Sequence, residues 1–248
     1  MHIKTGLLIL LLPFLTACVT VGGEPPTRNE KASAINVEMG YGYMAQNNFE
    51  VANQKLLRAL DQNPESASAH LAYATLQNRL LQTDVAQKHY KIATELDPND
   101  SDAANNYGTF LCLNGSEAES EKYFLQALKN PLYKTPEYAY TNAARCLLRI
   151  DGKVKAKTYL RKALAAKSDF GNALIEMAQL EFEVENNDSA KLYVDRFHLA
   201  QRPTARSLWL AIRVELELNG ENDVEELGQQ LESDFPNSAE LKSWVESQ

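Results

Sequence analysis

The sequence predicts an all-α protein, a superhelix of about six helical hairpins with a short helix closing the end. Three observations predict it. A pattern of small, large and Pro residues returns every 34 positions along most of the chain. Gly and Pro are scarce, at 11 and 9 of 248 residues, while Ala, Leu and Glu abound. Such a composition favours helices over a turn-rich β-fold, and self-similarity at a period of roughly 20–50 residues marks a stacked array.

At the start of the chain, Lys4 precedes an apolar run from Leu7 to Leu15. That run is shorter than the roughly 20 apolar residues that span a bilayer. A basic start, a short apolar core and small residues after it read as a signal peptide. Its end, Leu15-Thr16-Ala17-Cys18, resembles a lipobox, and the resemblance implies cleavage before Cys18 and acylation of that cysteine. Several acyl chains, at ~0.8 kcal/mol per buried methylene, anchor a protein stably. A plain secretory signal with an incidental cysteine is the alternative. Val19 stands where an Asp would alter sorting, so similarity to enterobacterial-type lipoproteins implies the outer membrane, facing the periplasm. The expected division is therefore signal peptide 1–17, lipidated Cys18 and flexible linker 18–32, and a helical domain 33–248.

The repeats follow. Gly40, Ala52, Leu56, Ala59 and Pro64 fall at steps of 12, 4, 3 and 5, and Ala74, Ala86, Tyr90, Ala93 and Pro98 repeat those steps 34 residues on. Gly108, Ser120, Phe124 and Ala127 continue, with Pro131 one residue early. After a two-residue slip come Ala144, Ala156, Leu160 and Ala163, then Ala178, Ala190 and Val194. In the sixth copy Ile212, Val224 and Pro236 keep the spacing while larger residues fill the small slots. The pattern resembles the tetratricopeptide repeat, a helix–turn–helix unit. The expected units are 33–66, 67–100, 101–134, 137–170, 171–204 and 205–238, with a cap at 239–248.

Physical reasons support each slot. A Gly or Ala on the first helix facing an Ala on the second lets the two axes approach closely. The large residue four further on is expected to fill the gap between one hairpin and the next. Pro at the unit's end stops the helix. Thr135-Pro136-Glu137 reads as an N-cap, a first-turn Pro and an acid near the positive end of the helix. Leu241, Trp244 and Val245 sit at helical spacing, as a lid over the last repeat requires.

Cys112 and Cys146 fall near the ends of the first helices of the third and fourth units, which stack as neighbours. In an oxidising periplasm they are expected to form a disulfide; two reduced core cysteines are the alternative.

Enzymatic chemistry is not legible. His70, His89 and His198 are spread along the sequence without metal-ligand spacing, so no metal and no cofactor is expected. Neither a Gly-rich phosphate loop nor a nucleophile elbow is present. A formal charge of −8 argues against nucleic acid as a partner. Residues 215–248 hold ten acids against one Lys, a solvated acidic face or a dock for a basic surface. The chain reads as a monomeric, non-enzymatic binding protein.

The inner face of such a superhelix is lined by first helices. The register assigns Val37, Tyr41 and Met44 to it from the first unit, and Leu71, Thr75, Asn78 and Arg79 from the second. The third supplies Asn105, Thr109 and Cys112; the fourth supplies Tyr138, Thr141, Arg145 and Arg149. Tyr41 and Met44 are expected to offer an apolar docking surface, or else to pack under the linker or in the first hairpin.

A lipobox, a linker, six such units and paired cysteines resemble the PilF/PilW family of type IV pilus biogenesis lipoproteins, with local strings such as "NNYGTFLC", "EKYFLQALKNPLY" and "ARSLWLAIRVE". The resemblance covers nearly the whole chain. It implies a pilotin, a partner of the outer-membrane secretin that brings it to the membrane and lets it multimerise. Two other classes remain. One is a tetratricopeptide lipoprotein scaffold for β-barrel or peptidoglycan assembly; the other is an accessory subunit of an enzyme.

Overall fold

The computed structural model describes residues 25–248. The expected signal peptide and Cys18 lie outside the described residues. Among those described there are thirteen α-helices and no strand. Six antiparallel hairpins follow one another: α1 (Arg28–Ala45) with α2 (Phe49–Gln62), α3 (Ala67–Arg79) with α4 (Thr83–Leu96), and α5 (Ser101–Leu113) with α6 (Glu117–Lys129). Then come α7 (Pro136–Leu148) with α8 (Lys153–Ala166), α9 (Gly171–Glu183) with α10 (Asn187–Ala200), and α11 (Ala205–Leu218) with α12 (Glu221–Asp234). Helix α13 (Ala239–Glu246) packs on α11 and α12 as the lid.

Curvature follows from which helices touch. Each first helix meets its second helix and also the first helix of the next hairpin, whereas among the described residues the backbones of successive second helices stay farther apart, α6 and α8 reaching each other through the Glu121, Lys155 and Tyr159 side chains. First helices thus crowd on the inner face and second helices fan outward. The stack is a superhelix, as the 34-residue period predicts.

Two boundaries differ from expectation. Helix α1 begins at Arg28, inside the stretch expected to be linker, because Thr27 and Glu30 form a reciprocal capping box. Thr135, expected to cap α7, accepts no capping hydrogen bond; its ψ of 52° is not the extended geometry a cap uses, and Pro136 alone starts the helix. Ser66, Asp100 and Ser238 do cap α3, α5 and α13 through their side-chain oxygens. The slip before the fourth hairpin is a longer connection, residues 130–135, where residues 63–66 and 97–100 join earlier hairpins.

The slot residues pack in a way the periodicity alone misassigns. Leu56 and Phe124 lie over the glycine of their own hairpin: a Cβ on Gly108 would sit 2.9 Å from the Phe124 ring, and one on Gly40 would collide with Leu56. The small residue therefore receives the large one, and does not simply face an alanine. In the sixth hairpin the sizes are reversed. Ile212, fully buried, takes the small slot; Gly228 takes the large one, and the Trp244 ring of the cap lies against it, 2.8 Å from where a Cβ would be. What reads as a worn repeat is a seat for the lid. Val245, at the same helical spacing, stays exposed.

Adjacent hairpins are also tied by a recurring polar link 24 residues apart. Gln77 Nε2 donates to Asn53 Oδ1 at 3.2 Å, Lys157 Nζ contacts Glu181 at 2.7 Å, and Lys191 Nζ contacts Glu215. Each runs from a second helix to the following first helix. Glu181 and Glu215 are buried, and both are satisfied by these lysines.

Candidate partner-binding groove

The first helices place most of the expected residues along one inner surface, yet burial divides them. Tyr41 is 40% exposed and is the large aromatic of the first hairpin that faces the groove. Its phenol end lies beside Thr75; desolvation there, reinforced by Tyr90, Asp100 and Asp102, pushes its pKa up to about 12. It therefore stays a neutral hydrogen-bonding group at any pH the protein meets. Thr75 donates to the Leu71 carbonyl at 2.8 Å and lies 3.5 Å from the Tyr90 hydroxyl, a short polar ladder under Tyr41.

Met44, expected to share the docking surface, is 2% exposed and packs with Ala52, Leu56 and Leu76 between the first two hairpins. Val37 lies in the same cluster, and Leu71 is buried against Ala74, Tyr90 and Tyr107. These three are corrected from groove residues to core. The reason is the inward crowding of α1 and α3, which covers positions the register alone leaves open. Asn78 is half-buried, and Arg79, exposed, donates from Nη1 to the Met44 carbonyl at 3.2 Å, fastening the second hairpin to the first.

Further along, Asn105 is buried and accepts from Asn142 Nδ2 at 3.1 Å, while Thr109 donates to the Asn105 carbonyl. Thr141 is buried, and Tyr138 stands exposed with its ring edge on Phe170. Cys112 on α5 and Cys146 on α7 are joined by a disulfide across the third and fourth hairpins, their Cα atoms 5.7 Å apart. Arg145 Nε donates to Glu176 Oε1 at 3.0 Å, and Arg149 Nε donates to Glu117 Oε1 at 3.3 Å. Arg206 Nη1 donates to the same Glu176 oxygen at 3.1 Å. Glu176 and Arg206 were not among the expected site residues. Continuing the inner-face register two units past Tyr138 reaches Arg206; Glu176 lies one position beyond the inner-face slot and carries no such signal. The groove thus presents Tyr41 with the polar Thr75, Asn78 and Arg79 at its first two hairpins and becomes guanidinium-rich from the fourth onward.

The histidines also need correction. His70 and His89, distant in sequence, meet through their Nδ1 atoms at 2.8 Å, because α3 and α4 are antiparallel partners. His70 Nε2 donates to the Pro64 carbonyl at 3.0 Å, so its Nδ1 accepts the His89 proton. Burial, then the neighbouring His70 and Lys88, pull His89 down to about 4. Among the described residues no group of three or more His, Cys, Asp or Glu is placed to hold a metal.

Comparison with known proteins agrees with this architecture. A tetratricopeptide-repeat family model matches residues 37–80 and 76–139. The type IV pilus assembly protein PilF of Pseudomonas aeruginosa is 29% identical over 248 residues, spanning 98% of each chain. The solved structure of P. aeruginosa PilF superposes with a TM-score of 0.81 at 27% identity, covering 90% of this chain and 100% of that one. PilW, described as a widely conserved type IV pilus biogenesis factor, gives 0.79 at 29% identity over 86% and 98%. By sequence over 98% of both chains and by fold, the chain is a tetratricopeptide-repeat protein similar to the PilF/PilW type IV pilus biogenesis factors.

Proposed function

We propose that this protein is a pilotin: a lipid-anchored, non-enzymatic assembly factor that binds a segment of the pilus secretin and promotes its localisation and multimerisation at the outer membrane. The observation that carries the reading is similarity to a type IV pilus assembly protein over 98% of both chains. Cys18 supplies the tether, holding the superhelix on the periplasmic side of the membrane. Tyr41, with Thr75 beneath it, supplies the contact: a broad neutral aromatic on an open inner surface, suited to an apolar stretch of another polypeptide.

Deleting the gene is expected to abolish detergent-resistant secretin multimers and twitching motility while porins assemble normally. Loss of porin assembly with intact secretin rings would move the protein to the barrel-scaffold class. Tyr41→Glu is expected to weaken secretin capture at least tenfold with unchanged helicity, since it places a charge on the docking surface. Cys18→Ala is expected to yield a folded protein recovered in the soluble periplasmic fraction.

A further inference from the structure

Helices α3 and α4 bring together two imidazoles that lie 19 positions apart in the sequence. His70, in the first turn of α3, is buried; His89, midway along α4, is partly open to solvent. One of the two rings already has the setting of a metal ligand. His70 Nε2 donates to the Pro64 carbonyl, which leaves a lone pair on Nδ1, directed at His89. A histidine that binds a metal through one nitrogen almost always donates its other N–H to a carbonyl, a carboxylate or water. The second ring can adapt. Among the described residues His89 Nε2 has no hydrogen-bond partner and is not sealed from water. The His89 proton can therefore leave Nδ1 for Nε2 without stranding a buried donor.

The spacing of the rings fits a shared ion. Imidazoles bound at about 2.0 Å and subtending about 90–109° at a metal put their nitrogens roughly 2.8–3.3 Å apart and their ring centroids roughly 4.5–5.1 Å apart. Here the Nδ1 atoms are 2.8 Å apart and the centroids 4.9 Å apart. Chelation thus needs the rings to turn about their own centres, with no movement of the helices. Lys88 stands next to His89 and opposes a cation, but it is exposed, where water and salt screen its charge. Among the described residues no group of three or more His, Cys, Asp or Glu surrounds such a point, so water takes the remaining coordination positions. Tetragonal sites of nitrogen and oxygen suit Cu²⁺, which also heads the first-row affinity order.

We propose that His70 and His89 form a two-histidine site for a divalent transition metal, Cu²⁺ most tightly, held through both Nδ1 atoms. On binding, the proton between the rings moves to His89 Nε2, and two nitrogen–metal bonds replace one hydrogen bond. The ion clips α3 to α4 and, through the Pro64 carbonyl on His70, steadies the connection from the first hairpin. The site draws nothing from the pilotin reading.

Titration of Cu²⁺ into the full chain in detergent, followed by calorimetry and electron paramagnetic resonance, tests the site. His2→Gln and Cys18→Ala are placed in the parent chain to remove competing ligands. One ion is expected to bind with a Kd on the order of 10 μM, and Zn²⁺ about tenfold more weakly. The resonance spectrum is expected to show two equatorial imidazole nitrogens. His70→Gln and His89→Gln are each expected to weaken binding at least tenfold and to leave one imidazole at most. His198→Gln, whose ring lies 3.0 Å from the Ser207 hydroxyl, is expected to change nothing. No binding up to about 1 mM, a parent spectrum without two imidazoles, or unchanged affinity in both variants overturns the proposal. The parent spectrum decides the matter even where a variant loses helicity. Because no secretin is present, failure here leaves the pilotin reading standing, and the reverse holds too.

Discussion

Single residues in this molecule are strained or tuned in ways that solution measurements read directly. The turn inside each hairpin passes through the left-handed region: Asn47, Leu81, Asp151, Glu185 and Asn219 have φ between 57° and 61°, and Gly115 is at 82°. Asn and Gly tolerate that conformation, whereas a branched aliphatic side chain does not. Leu81 is 84% exposed, so little packing offsets the strain. Leu81→Asn is expected to stabilise the fold by about 0.5–1 kcal/mol, measured by chemical denaturation. The His70–His89 contact has the opposite sensitivity. His89 titrates near 4 when folded and near 6.5 when free, so the unfolded chain binds its proton first. Its contribution is therefore complete above pH 6.5 and is lost as pH falls towards 4. Partial solvent access limits the effect to about 1 kcal/mol. His89→Gln is expected to flatten the acid limb of the stability curve across that interval; an unchanged slope would place the titration elsewhere.

Helices are joined into hairpins, and hairpins into a stack, by rules of unequal visibility. Hairpin formation is visible in the chain itself: Gly40 with Leu56 and Gly108 with Phe124 repeat at one offset, and prolines mark the ends. Burial of Met44 and Leu71 is not, because the partner helix covers them only in part and the first helix of the next hairpin completes the cover, which no period within one unit reports. The inner-face register therefore finds Tyr41, Arg145 and Arg149 and wrongly includes Val37, Leu71 and Met44. Glu176 lies one position off that register, and its role depends on Arg145 and Arg206 converging from two other helices. The 24-residue link is equally silent in a single copy, since Asn–Gln serves where Lys–Glu serves later. Glu181→Ala is expected to cost about 2 kcal/mol, because Lys157 and Asn186 both lose an acceptor at a buried position. Replacing Lys157 and Glu181 together by Asn and Gln, the pair that links the first and second hairpins, is expected to recover part of that loss.

At the scale of the molecule, stability in a stack is close to a sum of units and the interfaces between neighbours. Both ends then need a device. Thr27 and Glu30 begin the first helix, and α13 closes the last, where Trp244 fills the space left by Gly228 and approaches Trp209 at 6.4 Å between ring centres. Trp244→Ala is expected to cost about 2 kcal/mol, with faster amide exchange confined to α11–α13 and none of the change reaching α1–α6. Uniform loosening along the chain would contradict a unit-by-unit account.

The covalent bond between Cys112 and Cys146 adds a mechanical asymmetry to this array. Tension applied at the N-terminus can peel the first two hairpins away one at a time, but the span between the cysteines, which are 34 positions apart, cannot pay out as slack. Under load the enclosed span, Arg145 within it, stays short, because tension passes through the two sulfurs to Cys146 and the residues after it. The Tyr41 surface, on the N-terminal side of the bond, has no such protection.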